Sequence, residues 1–211
     1  GRDYMDRAIP GVGTKVLQSS MALFETQMLE LSRLQPTADV QTALVQLSAD
    51  WQSYRAALLV PPSPDSAAPI YVRNEAVLSA AHAATQAYER ASGTTEGRLI
   101  NVAGRQRMLS QRMAKFVYFA RYGVETQASV DALAKAREEF ITALELLKAA
   151  PQNTAQITSE LALADQQWFF FQNALGQGNS PKALQAIATT SERILEQLNL
   201  EIGRASCRER V

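Results

Sequence analysis

The sequence predicts an all-α protein, an elongated antiparallel helical bundle made of two repeat-related helical units. No segment alternates apolar and polar residues between turns, as strands of a hairpin do. Alanine, leucine, glutamine and glutamate are abundant, and these residues favour helix. A tryptophan segment also recurs, as WQSYRAAL at Trp51–Leu58 and WFFFQNAL at Trp168–Leu175. Its shared residues fall at spacings that place them on one helical face, so the recurrence favours a duplication over chance.

Composition and charge exclude several classes of function. The 211 residues are 46% hydrophobic and carry 21 basic and 21 acidic side chains. A chain with no net charge has no overall field that would attract nucleic acid or an anionic membrane. The single cysteine and single histidine exclude a disulfide framework and a multi-histidine metal site. Neither a nucleophile elbow nor a phosphate-binding loop occurs, so we expect no enzyme, cofactor or metal.

The periodicity predicts seven helices, separated by proline and glycine breaks. Val60–Pro69 contains four prolines and is the clearest predicted loop. Ser180 and Pro181 are typical of an N-cap and a first helical residue. No apolar run reaches the ~20 residues that span a bilayer. The predicted helices are Thr14–Gln35, Thr37–Leu59, Ile70–Ala91, Glu96–Tyr122, a fifth from after Ser129 to Ala149, a sixth from after Pro151 to Leu175, and a seventh from Pro181 to near Ile202.

The duplication predicts two domains and a tail. Outside the tryptophan segments, Phe24, Thr26, Glu30, Leu31 and Pro36 match Phe140, Thr142, Glu145, Leu146 and Pro151. We expect a first repeat at 1–93 and a second at 94–202, with the arginine-rich helix 96–122 present in the second repeat alone. A first copy of that helix is expected upstream of the given sequence. Residues 203–211 are interpreted as a vector-derived tail.

One helix concentrates positive charge. Six cations and no acid lie between Gly97 and Val124: Arg98, Arg105, Arg107, Arg112, Lys115 and Arg121. At 100° per residue, an apolar stripe is predicted to face the core, formed by Val102, Leu109, Met113, Phe116, Val117 and Ala120. Two lines flank it. The first contains Gly104, Arg107, Gln111, Ala114 and Tyr118, and the second contains Asn101, Arg105, Met108, Arg112 and Lys115.

Arg107 is the candidate centre of a small-anion site. A guanidinium forms paired hydrogen bonds to carboxylate-like and nitrate-like anions. Gly104, one turn earlier, would let a helix or a ligand approach the backbone. Three alternatives stay open: Arg105 and Arg112 as solvated charges, Arg107 paired with a glutamate such as Glu160, and the methionines as core filler. The candidate ligand-binding set is Arg107, Gly104, Arg112, Met108, Gln111, Arg105 and Asn101.

The stretch INVAGRQRMLSQRMAK at Ile100–Lys115 resembles the signature of the PilJ-type sensory domain, the N-terminal part of type IV pili methyl-accepting chemotaxis transducers. It is more loosely similar to the periplasmic segment of nitrate/nitrite sensor kinases. In those kinases a glycine and an arginine of the motif contact nitrate at a dimer interface. By position they correspond to Gly104 and Arg107, and the second motif arginine corresponds to Arg112. The resemblance implies a periplasmic or extracytoplasmic location and a sensory role in signal transduction or chemotaxis.

Three classes of function remain. The first is a sensory domain that binds a small anion, with nitrate or nitrite as candidates, and acts as a homodimer or with a partner signalling protein. The second is a helical scaffold or dimerisation module without a ligand. The third, a nucleic-acid binder, conflicts with the zero net charge and with the need to bury the apolar stripe. Any membrane attachment would lie in flanking segments.

Overall fold

A computed structural model describes residues 12–34, 36–61, 63–177 and 180–208. Over these ranges the chain forms seven helices and no strand, which confirms the all-α helical bundle. None of the helices in these ranges is both long enough and apolar enough to cross a membrane. The helices are α1 (Val12–Ser32), α2 (Ala38–Leu59), α3 (Pro64–Ser92), α4 (Thr95–Arg121), α5 (Thr126–Lys148), α6 (Ala155–Gly176) and α7 (Pro181–Arg208).

The chain divides into two compact units, with the boundary between Gly93 and Thr94. Gly93 adopts a left-handed conformation with φ 63°, and its N–H donates to the carbonyl of Glu89. A glycine at this position ends α3 without the steric cost that a Cβ would add. The first unit therefore contains α1 to α3, and the second contains α4 to α7.

In the first unit, the three helices enclose a small apolar cluster. Val40, Leu44 and Leu47 of α2 pack with alanines and Val77 of α3. Trp51 lies over Phe24 of α1, with ring centroids 4.3 Å apart. Together these contacts attach α1 to the α2–α3 pair.

In the second unit, four helices enclose a larger core. Phe140 of α5 is fully buried and stacks on Trp168 of α6, with centroids 4.4 Å apart. Helix α4 packs against both α5 and α7. The arginine-rich helix α4 is therefore one of the four packed helices of this bundle.

The two units share local geometry at matched positions. Thr37 and Thr154 cap α2 and α6, each accepting a hydrogen bond from the amide three residues later. The Phe24–Trp51 distance of 4.3 Å matches the Phe140–Trp168 distance of 4.4 Å. These features support a duplication, which itself stays a prediction.

Two predicted pairings of the repeat, Glu30–Glu145 and Leu31–Leu146, are one residue out of register with the Phe24–Phe140 pair. Leu31 packs against the cluster of the first unit, and Leu147 is buried in that of the second. Leu146, the predicted partner of Leu31, is 38% exposed. Leu31 therefore corresponds to Leu147, one residue later than predicted. Each of these leucines lies seven residues after the stacked phenylalanine, so it shares the buried face of its helix with that ring.

The predicted loop Val60–Pro69 is too long. Helix α3 begins at Pro64, because Ser63 forms a capping box with Ser66 and proline is well suited to the first helical position. Pro69 lies inside the helix, near its start, and is exposed.

Several other helix boundaries differ from the prediction. Helix α1 ends at Ser32, before the predicted Gln35, and α6 begins at Ala155 where a start after Pro151 was predicted. Helix α5 begins at Thr126, four residues before the predicted start after Ser129. Helix α7 continues beyond Ile202 to Arg208. Alanine, arginine and isoleucine propagate helix well enough to compensate for the single Gly203.

Candidate functional site

The position of α4 is fixed by side chains that reach the backbone of its neighbours. Gln106 Nε2 donates to the carbonyl oxygen of Phe140 on α5 over 2.8 Å. On the opposite flank, Gln111 Nε2 donates to the carbonyl oxygen of Ser191 on α7 over 3.1 Å. Tyr118 Oη also donates to α7, over 3.0 Å to the carbonyl oxygen of Leu184. The line that contains Gln111 and Tyr118 therefore faces α7.

The apolar stripe of α4 lies in the core, as predicted. Leu109, Met113 and Phe116 have no exposed surface, and Val117 is 8% exposed. The ends of the stripe, Val102 and Ala120, are half-buried. Burial of this face leaves the flanking lines to carry any ligand.

Arg105 is bound within the second unit. Its Nη2 lies 2.6 Å from Oε2 of Glu139 on α5, and the two side chains are 30% and 27% exposed. The ion pair neutralises Arg105 and links α4 to α5. Arg105 therefore already has an anionic partner within the unit.

Arg107 differs from Arg105, although both lie on the same helix. Its side chain is half-buried, and its buried Nε has no hydrogen-bond partner. Burial lowers the pKa of the Arg107 guanidinium from its ordinary value, because desolvation disfavours the charged form. Glu160, the alternative partner considered from sequence, accepts a hydrogen bond from Gln197 Nε2. The arginine is thus partly dehydrated, and its buried Nε donor is unsatisfied within the described residues.

Gly104 lies one turn before Arg107 on the same line. A Cβ built at Gly104 would meet no atom of the described residues within 4 Å. The close approach expected at this glycine is therefore not made by the described part of this chain, and the space beside it is open. Of the other predicted site residues, Met108 packs against the core cluster, and Asn101 and Gln111 are half-buried.

Arg112 and Lys115 lie near a buried ring. The guanidinium carbon of Arg112 is 5.0 Å from the centroid of Phe116, and Lys115 Nζ is 4.7 Å from it. Cations at such distances interact favourably with an aromatic face. These two side chains thus cover Phe116 and concentrate positive charge at this end of the motif.

Sequence reasoning missed the polar part of the core. Gln106 and Ser110 have no exposed surface, and Gln106 Oε1 has no hydrogen-bond partner. It also missed Glu139. Counting outward from the α4–α5 turn at Gly123, where φ is 71°, places Phe140 opposite Gln106 and so puts Glu139 within two residues of the position opposite Arg105. The antiparallel register therefore carried a usable signal.

Comparison with known proteins identifies a family for part of the chain. Residues 88–190 match the PilJ family, described as the N-terminal domain of type IV pili methyl-accepting chemotaxis transducers. No curated protein and no solved structure gave a match to the chain. The matched segment begins in the last turns of α3 and extends into α7, so the second unit provides most of it. The described residues contain no group of three potential metal ligands.

The matched family is a sensory and signalling family. Because of this match, residues 88–190 of this chain form a PilJ-type domain.

Proposed function

We propose that this PilJ-type domain is an extracytoplasmic sensory module without enzymatic activity, which recognises a small planar anion at Arg107. The observation that carries the proposal is the half-buried guanidinium of Arg107, whose buried Nε lacks a hydrogen-bond partner. An unpaired, partly dehydrated cation destabilises the unit, and an anion that pairs with it relieves that cost. Nitrate and nitrite have suitable charge and geometry.

The chemistry of recognition follows from the guanidinium. A guanidinium edge that faces solvent can donate two parallel hydrogen bonds to a planar anion. Open space beside Gly104 leaves room for the anion, or for a second protomer that approaches the same helix. Arg112 and Lys115, one to two turns later, add positive charge on the flanking line. Arg105 contributes less, because Glu139 neutralises it.

The proposed signal is a small shift of α4. The line that carries Arg107 also carries Gln111, which is bonded to α7. An anion held between Arg107 and a neighbouring helix or protomer would bias the position of α4 against α7. Small displacements of packed helices are an established way to transmit signals. The recipient would be a second protomer or a partner signalling protein.

The test is thermal unfolding in the presence of nitrate, nitrite, sulfate, acetate and chloride at matched ionic strength. A ligand at about 100 times its dissociation constant stabilises the folded state by roughly 2.7 kcal/mol. We expect one planar anion to raise the unfolding midpoint of the wild type and to have no such effect on Arg107→Met. Arg137→Met is the matched control, because Arg137 is an exposed arginine on α5. It should keep the full shift.

Two results would contradict the proposal. If no anion shifts the wild type, the scaffold or dimerisation module becomes the better description. If Arg107→Met and Arg137→Met respond equally, the anion acts on overall charge.

The proposed location is tested separately. An external protease should cleave this domain in intact spheroplasts that produce the protein, and protection there would refute an extracytoplasmic location.

A further inference from the structure

The first unit has an exposed apolar flank on α1. Val16 and Leu23 lie seven residues apart, on one line along the helix, and are 49% and 58% exposed. Ser20 and Gln27 continue this line and are also exposed. The line is distinct from the face of α1 that packs on α2, which carries Phe24.

The equivalent flank in the second unit is covered by α4. Counting from the stacked phenylalanines, Ser20 corresponds to Ala136 and Leu23 to Glu139. Ala136 has no exposed surface, and Glu139 forms the ion pair with Arg105 of α4. The exposed line of α1 is therefore the line that a fourth helix covers in the second unit.

Helix α3 shows the same difference. Both α3 and α7 begin with a Ser–Pro cap, Ser63–Pro64 and Ser180–Pro181, which fixes their register. In this register Ala67, Ile70 and Asn74 of α3 correspond to Leu184, Ile187 and Ser191 of α7. The three α7 residues are 6%, 1% and 2% exposed, whereas all three α3 residues are only half-buried. On α7, Leu184 and Ser191 accept hydrogen bonds from α4.

We propose that these two flanks form a docking site for one partner helix, which occupies in the first unit the place that α4 occupies in the second. The site, termed here the open face, consists of Val16, Ser20, Leu23 and Gln27 of α1 with Ala67, Ile70 and Asn74 of α3. In the described part of the first unit, no fourth helix covers this face.

The open face also specifies the chemistry of its partner. An amphipathic helix with the apolar stripe of α4 fits the open face. Helices α1 to α3, which would contact it, have the same caps and the same phenylalanine–tryptophan pair as α5 to α7. One position must differ. Leu23 stands where the second unit has Glu139, so an arginine equivalent to Arg105 would lose its counter-charge. The partner helix therefore carries an apolar residue at that position.

The experiment uses the full chain and two labelled peptides, followed by fluorescence anisotropy. One peptide has the sequence of residues 95–122, and the other carries Arg105→Leu. We expect the wild-type chain to bind the Arg105→Leu peptide at least about tenfold more tightly than the unaltered peptide. In the Leu23→Glu chain the preference should reverse, because the ion pair of the second unit is recreated.

Leu29→Glu is the matched control, since Leu29 is 57% exposed on the opposite side of α1. It should leave both affinities unchanged. A peptide that exchanged with α4 of the second unit would be insensitive to Leu23→Glu. The proposal is overturned if neither peptide binds, or if Leu23→Glu does not reverse the preference. It is also overturned if sedimentation shows a wild-type dimer that Leu23→Glu dissociates, because a second copy would then be the occupant.

Discussion

Removal of the buried Phe140 ring should destabilise the second unit. The loss of stability should exceed that caused by truncating any half-buried or exposed aromatic side chain of the described residues. Phe140 has no exposed surface and stacks on Trp168 at 4.4 Å with an interplanar angle of 26°. Truncation of a buried phenylalanine to alanine costs about 3–5 kcal/mol, because transfer free energy is lost and a cavity remains. The stack accounts for roughly 0.5–1.5 kcal/mol of that loss.

The loss of stability in Phe140→Ala should come from packing and not from the hydrogen bond at its backbone. Gln106 donates to the backbone carbonyl of Phe140, and the substitution leaves that acceptor in place. The expected change therefore reports packing alone. The stability of a domain is about 5–15 kcal/mol, so Phe140→Ala should remain folded in water with a strongly lowered midpoint in urea.

The assay is urea unfolding followed by tryptophan fluorescence in a Trp51→Phe background. The chain has two tryptophans, one in each unit, so Trp168 then reports on the second unit. Ile141→Ala is the control. Ile141 is 40% exposed, and its substitution should change stability by less than about 0.5 kcal/mol. A loss below about 1.5 kcal/mol for Phe140→Ala would refute the buried stack.

Three further outcomes are expected. Gln106→Met should lower the free energy of unfolding by about 1 kcal/mol in urea titrations, because it removes the buried 2.8 Å hydrogen bond to the Phe140 carbonyl; an unchanged or raised value would show that the unpaired Gln106 Oε1 costs at least as much as this bond contributes. Ser180→Ala should cost about 1 kcal/mol in the same titration, since it removes the 3.1 Å cap on the Ala183 amide, and an unchanged midpoint would mean that the cap does not form in solution. Partial burial, and then Glu196, raise the pKa of Glu192, so the folded state retains this proton more tightly than the unfolded state. Stability should therefore fall as pH rises from the ordinary glutamate pKa through the raised value. Glu192→Gln should be more stable than the wild type at neutral pH but not near pH 3. Thermal melts across pH measure this difference, and a difference in midpoint that does not change with pH would contradict the prediction.

Much of the helical architecture was predictable because its signals are local. Apolar residues at helical spacing, threonine and serine caps, and the recurring tryptophans act within one or two turns, and the predicted helices agree with the structure at most of their ends. The error at Val60–Pro69 arose because all four of its prolines were treated as breakers, although Ser63–Pro64 has the same N-cap pattern as Ser180–Pro181. Pro64 instead occupies the first turn, where its missing N–H is not needed.

The sequence by itself determined that the chain is helical, which face of α4 is apolar, and that positive charge gathers on that helix. It could not determine which of those charges is already neutralised. Arg105 and Arg107 are two residues apart, yet Glu139 pairs with the first, whereas Nε of the second is buried without a hydrogen-bond partner. The counter-charge lies on another helix, 34 positions along the chain. Only the packing of α4 against α5 and α7 decides which guanidinium is paired within the unit, because desolvation and pairing depend on neighbours that are distant in sequence.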